Sequence, residues 1–81
     1  MDFDQLYKEQ FPVVYRYLTG LCGNQALAEE LTQETFCQAL RGLDSFRGDC
    51  TPQVWLCAIA KRLWFAECRR ASGRLHWKRR R

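Results

Sequence analysis

The sequence predicts an all-α fold, a compact three-helix bundle, or four helices if the first restarts at its proline. Three observations carry this. Apolar residues recur at helical spacing in three separate segments. Capping and stop residues bracket those segments. At 81 residues, the chain is long enough for one small domain with one modest core.

The first segment is "FDQLYKEQFPVVYRYLTGL", in which Phe3, Leu6, Tyr7, Val14, Tyr15 and Leu18 share a helical face. Pro12 removes a backbone donor inside it, which predicts a kink or restart near residues 9–12, and Gly20 and Gly23 end it. Asn24 then caps a second helix, "QALAEELTQETFCQALRGL", with Gly42 as its stop. Its buried stripe is Leu27, Leu31, Thr35 with Phe36, Ala39 and Leu43. Residues 44–50, "DSFRGDC", read as a polar, glycine-bearing loop with Phe46 inside it. Thr51 is an N-cap and Pro52 suits the first position of helix three, which should end at Ser72–Gly73. Residues 1–73 thus form the domain, and the tail 74–81, "RLHWKRRR", has too little apolar content to pack.

A hydrophobic content of 47%, with 14% aromatic residues, argues against disorder. No apolar run approaches the roughly 20 residues of a membrane span, and the acidic N-terminus is unlike a secretory signal, so the expected location is cytoplasmic. Five cysteines, 22, 37, 50, 57 and 68, lie too far apart for a C-x-x-C zinc pair, and His76 is the sole histidine. The expectation is reduced thiols, no metal and no cofactor. No Ser/His/Asp set or phosphate-cradling glycine loop is present, so no enzyme is expected.

The net charge of +4 is unevenly divided. Residues 1–60 hold four basic against eight acidic residues, a net of −4; residues 61–81 hold nine basic residues against Glu67 alone, a net of +8. Two kinds of partner follow, one of them a polyanion. On helix three, Trp55, Leu56, Ile59, Ala60, Leu63 and Ala66 form one apolar stripe. Lys61, Arg62 and Arg69 share the opposite side with Phe65 and Ala58, an arrangement that can pair with phosphates and stack on a base. The plainer reading of that side is an ordinary solvated face. Trp64, Cys57 and Cys68 form a third strip, suited to another element or a partner.

The blocks "LYKEQFPVVYRYL", "AEELTQETF", "LDSFRGD" and "VWLCAIAKRLW" closely resemble, in order and spacing, region 2 of bacterial σ factors of the extracytoplasmic-function (ECF) group. The resemblance covers about residues 3–70. It implies a transcription-initiation domain that binds the clamp helices of the RNA polymerase β′ subunit and recognises and melts the promoter −10 element. On this resemblance Glu30, Gln33, Glu34, Phe36 and Leu40 are the polymerase contacts, with Phe36 a candidate apolar anchor. Glu30, Gln33, Glu34 and, less closely, Phe36 stand at i, i+3, i+4 spacing, so they can share one accessible patch. The DNA contacts it implies are Phe46, Arg47 and Asp49 in the loop and Trp55, Lys61, Arg62, Phe65, Arg69 and Arg70 on helix three. The loop matches the segment that holds a flipped base of the non-template strand. Phe46 is either a pocket wall or a plug over the core, and Trp55 either edges the melted bubble or packs in the core.

Two departures bear on specificity. The family commonly has "IARN" followed four residues on by Asp; here the positions read "IAKR" and Ala66. Arg62 replaces an amide that often meets promoter DNA, and Ala66 removes an acidic partner for nearby arginines. Family members continue through a linker, for which "RLHWKRRR" is the candidate start, to a helix-turn-helix domain that reads the −35 element. An excised domain and a stand-alone relative are both compatible with a chain ending at Arg81. The competing reading is a protein-interaction module, such as one held by an anti-σ factor, without DNA activity of its own.

Overall fold

The computed structural model describes residues 2–46, 48 and 50–75. Helix α1 is Phe3–Cys22, α2 is Gln25–Arg41, a single 3₁₀ turn covers Leu43–Ser45, and α3 is Pro52–Leu75. Each long helix packs on the other two.

The helix starts are set by side chains. The Asp2 carboxylate accepts from the Asp4 N–H at 3.1 Å, Asn24 Oδ1 from the Leu27 N–H at 3.0 Å, and Thr51 Oγ1 from the Val54 N–H at 3.2 Å. Helix α1 ends where Gly23 turns left-handed (φ 66°) and donates to the Thr19 carbonyl at 2.9 Å. Gly42 closes α2 through its N–H to the Gln38 carbonyl, also at 2.9 Å.

No restart occurs at Pro12, so α1 is one helix of 20 residues. Pro12 and Lys8 both lie on the exposed side, where water can take the Lys8 carbonyl that lacks its usual donor. Residues on either side of the proline, Leu6 before it and Val14 and Leu18 after it, insert into the same core. A break at residue 12 would have to pull one of these halves out. Helix α3 likewise outruns its expected stop and keeps helical backbone through Ser72 and Gly73 to Leu75. A mid-helix glycine costs only about 1 kcal/mol relative to alanine, too little to end a long helix by itself.

The core is Leu6, Val14 and Leu18 from α1, Ala28, Leu31, Phe36 and Ala39 from α2, and Leu56, Ile59 and Ala60 from α3. Alanines at three of these positions let the helix backbones approach closely. Thr32 and Thr35 are fully buried, each hydroxyl donating to a carbonyl one turn back, Ala28 at 2.6 Å and Leu31 at 2.7 Å. Their polar groups are thereby satisfied without a partner from another helix. Trp64 packs against the core, and Cys57 and Cys68 are half-buried. Burial pushes the thiol of Cys22 up, with the nearby Cys68 adding to it, and burial alone raises Cys57. The third strip of α3 is therefore partly covered by the domain, with Cys68 near Cys22 at the end of α1. No described helix is long and apolar enough to cross a membrane.

Candidate functional site

Helix α3 presents Ala58, Lys61, Arg62, Phe65 and Arg69 together on its exposed side. The apolar stripe of the same helix, Leu56, Ile59 and Ala60, is turned into the core, which fixes the orientation of this face. Phe65 is 47% exposed, and the Lys61 ammonium lies 5.8 Å from its ring centroid. That pair presents an open aromatic face beside a positive charge. Among the described residues no carboxylate forms an ion pair with Lys61, Arg62 or Arg69. Three exposed cations and a ring can hold phosphates and stack on a base.

The loop end of α3 adds a second aromatic pair. Phe46 and Trp55 stack at 4.7 Å between centroids, with their planes tilted by 32°. Trp55 is half-buried against the core, and Phe46 half-buried upon it. Each of the two sequence alternatives for these rings thus has a partial counterpart: both rings help close the core, and both keep some open surface. Gly48, at φ 78°, supplies a left-handed turn that a side chain would strain. Arg47 and Asp49 lie outside the described residues, as do residues 76–81 of the basic tail.

Arg70 does not join the cationic face. It hydrogen-bonds and ion-pairs with Glu67, three residues earlier, and lines a groove of about 420 Å³ between α2 and α3 with Leu27, Glu30, Glu34 and Ala66. A position three or four residues from Leu63 and Ala66 continues the core stripe, so the stripe ends in an ion pair. Glu67 is the acid that the sequence reading missed. It stands one position beyond Ala66, on the groove side of α3, and its i, i+3 spacing to Arg70 was the available signal.

Exposed positions of α2 include Glu29, Glu30, Gln33, Glu34, Cys37 and Leu40. Glu34 reaches Arg41 at 3.6 Å and accepts a weak bond from the Gln38 amide at 3.4 Å. Leu40 is 55% exposed. Phe36 corrects the expectation of an exposed anchor: it is 3% exposed and lies against a row of α1 aromatics. Its ring centroid is 6.3 Å from Phe3, 5.0 Å from Tyr7 and 5.9 Å from Phe11. Its place on the buried stripe of α2 decides this, because a large ring facing α1 gains more from burial than from solvent contact. The exposed apolar groups nearby are instead Leu40 and Tyr7, around a shallow groove lined by Phe3, Tyr7, Gln33, Phe36, Cys37 and Leu40. Tyr7 was legible in the sequence as one of four aromatics spaced by four, Phe3, Tyr7, Phe11 and Tyr15.

An acidic face on one helix and a cationic, aromatic face on its neighbour define a small helical module with two oppositely charged surfaces, one of them with the chemistry that suits nucleic acid. The Sigma-70 region 2 family profile matches residues 6–74. The chain belongs to this family, as a region 2 domain of a σ factor. Similar relatives are the RNA polymerase sigma factor YlaC of Bacillus subtilis, 37% identical over 70% of this chain and 33% of the relative. The ECF RNA polymerase sigma factor BldN of Streptomyces coelicolor is 40% identical over 75% of the chain and 24% of its own length. The ECF RNA polymerase sigma factor SigE of Mycolicibacterium smegmatis is 37% identical over 90% of the chain and 28% of its own length. The chain therefore spans a quarter to a third of the relatives it matches. No solved structure gives a significant match.

Proposed function

We propose that this domain acts in transcription initiation by docking α2 on the β′ clamp helices of RNA polymerase while α3 and the loop grip and open the −10 element. The observation that carries this reading is the exposed row Lys61, Arg62, Phe65 and Arg69, free of carboxylate partners among the described residues and backed by the core. Glu30, Gln33, Glu34 and Leu40 supply the polymerase-facing side. The working unit, expected at residues 1–73, extends with α3 to Leu75. Strand opening draws on binding energy alone: phosphates on the cations, and bases on Phe65 and on the Phe46–Trp55 pair. Arg70, held by Glu67, contributes less to DNA than its neighbours.

The test is single-stranded −10 oligonucleotide binding over a range of salt, with polymerase core present. Changing Lys61, Arg62 and Arg69 to Ala removes about three phosphate contacts. The slope of log K against log salt should then fall by about 2 to 3. An unaltered slope takes this face out of the DNA interface. Arg70→Ala should move the slope by less than any of the three. The rival reading, a module held by an anti-σ factor without DNA activity, drew on the strip of Trp64, Cys57 and Cys68 and on the departures at Arg62 and Ala66. That strip is half-buried, with Trp64 packing against the core, so it offers a partner only part of its surface.

A further inference from the structure

The shallow groove beside the acidic patch has no charged lining residue. Phe36 forms its floor, Phe3 and Tyr7 come from α1, Gln33, Cys37 and Leu40 from α2, and it encloses about 380 Å³. Two of its large side chains, Tyr7 and Leu40, stay 38% and 55% exposed, and Cys37 is exposed between the helices. Such a lining suits an apolar side chain, and a helix laid in a groove presents side chains one at a time at helical spacing.

The same face of α2 changes character along its length. Glu34 shares its charge with Arg41, so the carboxylates of this face without an ion pair among the described residues are Glu29 and Glu30. These stand two turns before Cys37, about 10 Å along the helix axis. The complement is a helix with cations at one end of its contact and an apolar residue about two turns away. A nucleic acid does not fit, since its phosphates would meet carboxylates. A second copy of this chain fits less well, because its α3 cations lie within one turn of Phe65 rather than two.

We propose that this groove, with Tyr7 and Cys37 at its lips, receives one apolar side chain of the basic polymerase helix that docks on α2, and so sets the register of docking. The inference rests on the docking reading above and extends the contact surface from α2 onto α1. It assigns a binding role to Tyr7 and Cys37, and it makes Phe36 the support beneath the contact.

The test is maleimide labelling of the full chain, read at Cys37 by peptide mass spectrometry, with and without saturating purified RNA polymerase core. Core polymerase should slow Cys37 labelling at least tenfold. Raising the concentration of the chain alone should leave it unchanged. Undiminished labelling in a complex shown to have formed overturns the proposal. Protection by the chain alone also overturns it, by assigning the groove to a second copy. A Cys37→Arg variant, at an exposed position, should keep its melting temperature and lose at least tenfold in affinity for core; wild-type affinity would sink the groove. Glu34→Lys separates the two levels. If it weakens core binding while Cys37→Arg does not, docking on α2 stands and the groove falls. If neither variant weakens binding, the docking reading itself falls.

Discussion

Phe36 shows how one residue can support a proposed contact surface from beneath. Its ring lies against Phe3, Tyr7 and Phe11 of α1, at 3% exposure, directly beneath the groove that Tyr7 and Leu40 border. Truncation to alanine removes a buried ring that cannot be replaced by collapse of three neighbouring rings, a loss of about 3 to 5 kcal/mol. Phe36→Ala should therefore lower the urea midpoint steeply, and any loss of polymerase binding should track the unfolded fraction. A Phe36→Ala chain that stays fully folded and still fails to bind would return Phe36 to the contact surface. Leu40→Ala, half exposed, should do the reverse: little change in midpoint, weaker binding. The sequence placed Phe36 on the buried stripe and also among the polymerase contacts. Its burial was legible because periodicity reports packing directly.

At the scale of the element, α1 runs through Pro12 because its two halves serve one core. Leu6 precedes the proline, Val14 and Leu18 follow it, and all three are buried. The local cost of the missing donor is borne on the solvent side. Pro12→Ala restores the bond to the Lys8 carbonyl and relieves the ring clash, offset in part by a more flexible unfolded chain. A net gain of about 1 to 2 kcal/mol should appear in chemical denaturation. A loss instead would mean that the packing of α1 depends on a bend at residue 12. Helix starts were legible in the sequence, since Asn24 and Thr51 are caps whose chemistry is local. The restart that was one alternative at Pro12 and the expected stop at Ser72–Gly73 are both absent for one cause. Local propensity differences of a few kcal/mol at most yield to tertiary packing or to continuation of a long helix, neither of which a dipeptide reveals.

For the whole molecule, the two proposed surfaces lie on adjacent helices that share the core, α2 through Leu31 and Ala39, α3 through Leu56, Ile59 and Ala60. The faces carry opposite charge and do not share residues. Glu34→Lys should thus change affinity for core without altering the salt slope on DNA, and the Lys61/Arg62/Arg69 triple alanine variant should do the converse. The combined variant should show the sum of the two losses, measured as free energies in a double-mutant cycle. A large coupling term would show that one surface reports to the other. Charge division and the amphipathic pattern made both faces visible in the sequence, but not the diversion of Arg70 to Glu67. That diversion depends on which way a long side chain turns, and it is decided by a carboxylate on the groove side of α3. Because the proposed DNA-contacting cations and the core residues of α3 occupy one uninterrupted rod, a pull exerted by a strand on Lys61 or Arg69 would enter the bundle as shear along the packed seam of Leu56, Ile59 and Ala60. No hinge stands between them to absorb it, so a softened seam should let the grip slip even with every cation in place.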